Sequence, residues 1–177
     1  MKDALLVVDV FNDFDHDDGE QLRSSFHERL PAMEAAISLA RVRDVPVVYV
    51  NDQRSWDGDA PRLVREAIAV TPELACLEPQ PGDPFILKAR YSAFDHTTLE
   101  ILLREREVDR VLIIGSSTEG CVVQTGIDAR ELGFKVTILC DACATTDAEL
   151  EDVALRYAED VGGMRVSRAG SLRANAY

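Results

Sequence analysis

The chain has 177 residues, of which 46% are hydrophobic, enough to form the buried core of one domain. Nineteen Lys and Arg residues stand against 32 Asp and Glu residues, for a formal net charge of −13. This excess of acid excludes binding to a nucleic-acid backbone and argues against attraction to anionic membranes. We therefore expect one soluble domain over residues 1–177, with a small-molecule substrate and no nucleic-acid or membrane partner.

Short apolar runs alternate with longer amphipathic stretches, a pattern typical of an α/β fold with a parallel sheet. In chain order the pattern predicts strand 4–8, helix 22–43, strand 45–50, helix 60–70, strand 85–88, helix 97–107, strand 111–114, helix 119–132, strand 136–139, helix 147–160 and strand 164–166. Ligands of such sheets bind beyond the carboxyl ends of the strands. Reactive residues that follow strands are therefore the candidates for a functional site.

The four cysteines, Cys76, Cys121, Cys140 and Cys143, are expected to be free thiols. The apolar run near the N-terminus is interrupted by Asp9 and is too short for a signal peptide. No apolar stretch approaches the roughly 20 residues of a membrane span. These features predict a cytoplasmic protein, because thiols stay reduced in that compartment.

Three reactive residues lie at predicted strand ends. Asp9 follows the first strand, Lys88 ends the third, and Cys121 lies seven residues beyond the end of the fourth. Thr118 is suited to cap the next helix, which would place Cys121 in the first turn, where free N–H groups stabilise a thiolate or an oxyanion. A carboxylate, a cation and a nucleophile together indicate nucleophilic catalysis.

Each of these residues also has a structural interpretation that the sequence leaves open. Cys121 is suited to pack a helix on a strand, Asp9 to stabilise a turn, and Lys88 to pair with Asp9 or to reach solvent. A Cys–His dyad is the weaker catalytic alternative. His16 is its candidate base, because the loop after Asp9 can carry this residue near the site.

Four segments of the chain, in order, carry motifs. Residues 6–14 read LVVDVFNDF, close to Asp-x-x-Asn-Asp-Phe, and residues 48–52 read VYVND. Residues 88–94, KARYSAF, match Lys-x-x-x-Ser-Ala-Phe, and residues 115–122, GSSTEGCV, match Gly-x-x-Thr-x-x-Cys-Val. The chain resembles, over nearly its whole length, the isochorismatase-like cysteine hydrolases, which include nicotinamidase and N-carbamoylsarcosine amidase.

This resemblance implies a three-layer αβα fold around a six-stranded parallel sheet, with no cofactor. It implies that Asp9 accepts a proton, that Lys88 is its cationic partner and that Cys121 attacks a carboxamide or related C–N carbonyl to form a thioester. Water activated by Asp9 would then release the acid. The resemblance also implies a cis peptide at Ser116-Ser117 that turns the Ser117 N–H toward the oxyanion beside that of Cys121, and a homo-oligomer, either a dimer or a tetramer.

The chain departs from the zinc-binding members of that family after the second strand. Those members carry Asp-x-His and a later His, whereas this chain has Asp52-Gln53-Arg54, and no histidine occurs between His27 and His96. We therefore predict no metal site and do not expect nicotinamide as the substrate. Arg54 suggests a carboxylate or other anionic group on the substrate, and an arginine on a mobile loop is the alternative interpretation.

Aromatic side chains near strand ends complete the predicted substrate site. Phe14, Trp56, Tyr91 and Phe94 are candidates to line an apolar pocket, although such rings also belong to cores. The leading hypothesis is a metal-independent hydrolase of a small amide or carbamoyl compound. The alternatives are an isochorismatase-type vinyl-ether hydrolase, which does not need Cys121, and a non-catalytic binding protein that retains the fold.

Overall fold

The computed structural model describes residues 1–53 and 57–170. The strands are β1 (Asp3–Val8), β2 (Val47–Asp52), β3 (Phe85–Lys88), β4 (Arg110–Ser116), β5 (Lys135–Ala144) and β6 (Arg165–Ser167). The helices are α1 (Gly19–Val42), α2 (Ala60–Val70), α3 (Leu99–Glu105), α4 (Val123–Glu131) and α5 (Ala148–Asp160). A 3₁₀ helix (Pro72–Leu77) follows α2, and a one-turn π-helix (Thr118–Val122) precedes α4.

The six strands form one parallel sheet in the order β3-β2-β1-β4-β5-β6. Side chains of β1 alternate between its two faces, with Leu5 and Val7 packing toward α1 and α2, and Leu6 and Val8 packing toward α3, α4 and α5. Both faces are covered, which explains why the strands are continuous apolar runs. The predicted αβα fold with a six-stranded parallel sheet is confirmed. The strand order reverses between β1 and β4, where ligands of such sheets bind.

Most predicted elements are present, with shifted ends. α2 and β3 have the predicted bounds, and Asp147 caps α5 by accepting the N–H groups of Glu149 and Leu150. β5 continues to residue 144 instead of 139, because its pairing with β4 resumes at Cys143 and Ala144 beyond an irregularity. α3 is shorter than predicted: it begins at Leu99, and Glu107, the predicted last residue, has φ of 55° and lies outside the helix.

Two further differences concern segments between strands. α1 begins at Gly19, three residues before the predicted start, and the 3₁₀ helix between α2 and β3 was not predicted. No helix within residues 1–53 and 57–170 is both long enough and apolar enough to cross a membrane.

Candidate active site

The ends of four neighbouring strands bring the candidate residues to one edge of the sheet. Asp9 directly follows β1, Asp52 and Lys88 end β2 and β3, and Cys121 lies in the turn after β4. Asp52 and Lys88 are register partners across β2 and β3. The structure therefore brings together the three predicted residues, Asp9, Lys88 and Cys121, and adds a second carboxylate to them.

Lys88 is the centre of this cluster, and its side chain is completely buried. Its Nζ lies 2.8 Å from Asp9 Oδ2 and 2.8 Å from Asp52 Oδ1. The same ammonium donates to the backbone oxygen of Arg90 at 2.9 Å and to Cys121 Sγ at 3.4 Å. Burial lowers the pKa of Lys88, but Asp9, Cys121 and Asp52 raise it above its ordinary value. Lys88 is therefore a cation.

Asp9 is a buried carboxylate whose two oxygens have different neighbours. Its Oδ1 accepts the backbone N–H of Asp52 at 2.6 Å. Its Oδ2 forms an ion pair with the Lys88 ammonium at 2.8 Å and lies beside the Cys121 thiol. Burial raises the pKa of Asp9 to about 6; Lys88 opposes the rise and Asp52 adds to it. At neutral pH Asp9 is therefore ionised, with an oxygen available to accept a proton.

The Cys121 thiol is in a different electrostatic environment from the one expected. Burial raises the pKa of Cys121 above its ordinary value, the charge of Asp9 adds to this rise, and Lys88 opposes it. The expectation of a thiolate stabilised in the free protein is therefore wrong. A protonated thiol must lose its proton during attack, which requires a base beside it.

The backbone around Cys121 explains the error. Cys121 lies in the π-helical turn, two residues before α4, and Gly120 departs from helical geometry with φ −112° and ψ −106°. Thr118 does not cap a helix, because its hydroxyl donates to Glu151 Oε1 at 2.8 Å. The predicted helix 119–132 thus begins later, at Val123.

Two glutamate carboxylates hold this turn in place. Glu151 of α5 accepts the Thr118 hydroxyl and pairs with Arg29 of α1 at 3.0 Å. Glu119 accepts the hydroxyls of Thr145 and Thr146 at 2.8 and 2.7 Å, and also the Thr146 N–H. These bonds tie the turn to α5 and to the loop after β5.

The link from β4 to the turn has an unusual backbone. The peptide bond between Ser116 and Ser117 is cis, and the Ser116 hydroxyl donates to the Asp9 carbonyl at 2.7 Å. Gly115 has φ of 129°, and a Cβ there would lie 1.8 Å from the Val8 carbonyl oxygen. Only glycine fits this approach of β4 to β1.

A cleft of about 570 Å³ opens above the cluster. Its lining is mostly polar and consists of Asp9, Phe11, Asn12, His16, Asp18, Leu22, Asn51, Asp52, Gln53, Ala89, Tyr91, Ser116, Ser117, Cys121 and Thr146. The loop after Asp9 does carry His16 to the cleft. Cys121 Sγ nevertheless accepts from Lys88 Nζ and lies beside Asp9, so the geometry favours the Asp9 cluster over a Cys–His dyad.

The predicted aromatic lining is only partly present. Tyr91 lines the cleft and is 72% exposed. The expectation for Phe14 and Phe94 is wrong, because Phe14 packs edge-on against Phe26 at 5.7 Å and Phe94 stacks on Phe134 at 6.0 Å, both against the core. Arg54 and Trp56, the other two candidates, lie outside the described residues.

Three of the clustered side chains have the donor types that bind metals. The ligand atoms of Asp9, Asp52 and Cys121 lie within 4.8 Å of one another. Lys88 Nζ contacts all three, at 2.8, 2.8 and 3.4 Å, so a metal cation would have to displace a buried ammonium. The donor set therefore fits a lysine better than a metal.

Sequence reasoning missed Asp52, Glu119 and Glu151. Asp52 ends β2, so the strand-end rule that selected Asp9 and Lys88 applies equally to it. Glu151 lies 33 residues after its partner Thr118, and no local sequence pattern indicates that pairing.

Comparison with known proteins shows the family of this chain. The family model of the isochorismatase domain matches residues 3–169. The isochorismatase family protein YaaI of Bacillus subtilis is 31% identical over 161 residues, 89% of each chain. A probable inactive nicotinamidase of Arabidopsis thaliana is 28% identical over 174 residues, covering 90% of this chain and 89% of that protein. N-carbamoylsarcosine amidase from Thermoplasma acidophilum has a similar crystal structure, with a TM-score of 0.76, 30% identity and coverage of 96% and 97% of the two chains.

Proposed function

Because this chain belongs to the isochorismatase family of hydrolases, we propose that it is a metal-independent cysteine amidohydrolase. Its substrate is a small amide or carbamoyl compound, and Asp9, Lys88 and Cys121 form its catalytic triad. The observation that carries this proposal is the contact of one buried ammonium with both the carboxylate of Asp9 and the sulfur of Cys121.

The first step forms a bond between sulfur and carbon. Asp9 Oδ2 takes the proton of Cys121 as Sγ attacks the substrate carbonyl, so the carbonyl oxygen becomes an anion. The backbone N–H groups of Ser117 and Cys121 stabilise that oxyanion. Lys88 stays charged throughout and stabilises the sulfur anion as it forms.

The second step breaks the C–N bond. The tetrahedral intermediate collapses to a thioester, and Asp9 returns its proton to the leaving nitrogen, which departs as ammonia or an amine. In the third step Asp9 takes a proton from water, the resulting hydroxide attacks the thioester, and the acid is released. The proton then returns to Cys121 Sγ. Each cycle consumes one amide and one water.

The cleft and a relative support the proposed substrate class. A polar cleft of about 570 Å³ suits a small polar molecule, and the amidase from Thermoplasma acidophilum acts on N-carbamoylsarcosine by its name. We propose that Tyr91, Arg54 and Trp56 contact the substrate. Arg54 would bind an anionic group on it. An Arg54→Gln variant should raise KM for substrates with a carboxylate and leave KM for neutral amides unchanged.

The test is an ammonia-release screen over primary amides, ureido acids and carbamoyl amino acids. Cys121→Ala should abolish turnover, and the matched control Cys76→Ala should retain it, because Cys76 is exposed on the 3₁₀ helix. Activity in Cys121→Ala together with its loss in Asp9→Ala would support vinyl-ether cleavage instead. No turnover of any compound by the wild type would support a binding protein; one relative is a probable inactive nicotinamidase.

Three coarser expectations belong to the same proposal. The protein is a single domain over residues 1–177, it is cytoplasmic, and it forms a homo-oligomer, either a dimer or a tetramer. Sedimentation that shows a stable monomer would contradict the last of these.

A further inference from the structure

Asp52 contacts the two charged members of the triad without being one of them. Its backbone N–H donates to Asp9 Oδ1 at 2.6 Å, and its Oδ1 accepts from Lys88 Nζ at 2.8 Å. The Asp52 side chain is 58% exposed and lies at the cleft, whereas Lys88 is completely buried. One carboxylate thus reaches from the cleft to the buried ammonium.

The protons of the ammonium can be assigned one by one. A lysine ammonium has three N–H donors, and Lys88 Nζ has three partners with hydrogen-bond geometry: Asp52 Oδ1, the Arg90 carbonyl and Cys121 Sγ. These three partners compete with Asp9 for the ammonium protons, although Asp9 Oδ2 also lies 2.8 Å from Nζ as an ion pair.

We propose that Asp52 is a positioning residue that takes one N–H of Lys88, weakens the pairing of Lys88 with Asp9, and so leaves Asp9 Oδ2 able to accept the thiol proton of Cys121. The inference rests on the proposed function, since it requires Asp9 to act as the base. Without Asp52, one N–H of Lys88 would be released and would turn toward the nearest acceptor, Asp9 Oδ2. A carboxylate that accepts a charged hydrogen bond is a weaker base.

A surface ion pair is the competing interpretation, and exposed pairs contribute little to stability. It does not account for the geometry, because the lysine end of this pair is fully buried and directs its third proton to Cys121 Sγ. The other alternative is that Asp52 contacts the substrate and does not act on the triad. That role would change KM.

The experiment measures alkylation of Cys121 by iodoacetamide from pH 4.5 to 9, so it needs no substrate. Site-resolved mass spectrometry follows Cys121 in the wild type and in the Asp52→Ala and Asp52→Asn variants. The exposed Cys76 in the same samples is the internal control, and its rate should not change. The charged and titratable groups that face Asp9 are Lys88, Asp52 and Cys121, with His16 and Asp18 on the same cleft.

In the wild type the rate should rise through about pH 6 and then level off, because Asp9 takes the thiol proton only when ionised. Both variants remove a negative charge, so both should move the midpoint to lower pH. Asp52→Ala should also lower the plateau about tenfold, the effect expected of one hydrogen bond to a carboxylate. Asp52→Asn should recover the plateau to within about threefold, because its amide oxygen still accepts the Lys88 proton.

An unchanged plateau in Asp52→Ala, or an equal loss in Asp52→Asn, would overturn the role of Asp52 and leave the proposed function intact. A wild-type rate that climbs without a plateau toward the ordinary thiol range would instead refute Asp9 as the base, and with it the proposed function. Circular dichroism checks folding. Asp52→Ser, whose hydroxyl is too short to reach Nζ, replaces the alanine variant if that variant does not fold.

Discussion

Asp9→Asn is the substitution that isolates the proposed base. It preserves the shape of a side chain that is 12% exposed and removes its ability to accept a proton. The Asp52 N–H can still bond to the amide oxygen, as it does to Oδ1 in the wild type. The change therefore tests the base with little change in packing.

The magnitude follows from the pKa of Asp9, which burial raises to about 6. Only the ionised carboxylate accepts a proton, so activity is present above about pH 6 and is lost as the pH falls through that value. At pH 5 about one tenth of the plateau rate should remain. Loss of a general base costs roughly 10²–10⁴-fold. The residual rate of Asp9→Asn should climb about tenfold per pH unit, because hydroxide must then remove the thiol proton.

The assay is ammonia release with the best substrate of the screen, together with Cys121 alkylation across the same pH range. Asp44→Asn is the matched control, since Asp44 is exposed beyond the end of α1 and has φ of 53°, which asparagine tolerates. If the rate of Asp9→Asn still rose through about pH 6 and reached most of the wild-type plateau, Asp9 would not be the base.

Three further predictions concern the cation, the cleft and metal. Lys88→Met should abolish turnover and lower the free energy of unfolding by about 3–5 kcal/mol, because it leaves the Asp9 charge buried without its partner. Scanning fluorimetry should show a lower Tm at pH 7.5 that partly recovers at pH 5.5, where Asp9 is protonated. Tyr91→Ala should raise KM several-fold with little change in Tm, since this cleft side chain is 72% exposed. Dialysis against a chelator should leave wild-type activity unchanged, and loss that zinc restores would contradict the metal-independent mechanism.

The sequence predicts the architecture well because buried parallel strands are distinctive. β3 and α2 have the predicted bounds, and strand ends identified Asp9, Lys88 and Cys121 as neighbours before their contacts were known. The errors lie where local patterns and tertiary contacts compete. Thr118 looks like a helix cap in isolation, but a distant carboxylate, Glu151, takes its hydroxyl.

Aromatic residues were the weakest part of the prediction, for a physical reason. A ring at a strand end has the same sequence pattern whether it faces a cleft or another ring. Phe14 and Phe94 each find an aromatic partner in the core, Phe26 and Phe134, which are 12 and 40 residues away in the chain. Such partners are set by how the helices pack on the sheet, and the sequence does not encode them locally.

A nucleophile whose thiol pKa is raised appears poorly suited to its task, but the cluster resolves the difficulty. When the proton moves from Cys121 Sγ to Asp9 Oδ2, the negative charge moves from one neighbour of Lys88 to another, 2.8 Å from the ammonium before the transfer and 3.4 Å after it. One negative charge is buried both before and after the transfer. The desolvation cost that raises the pKa of each group is therefore nearly the same in the two states and hardly opposes the transfer. Reactivity here is a property of Asp9 and Cys121 together. A mixed disulfide at Cys121 should therefore raise the pKa of Asp9, because it removes the thiol hydrogen bond that lowers that pKa.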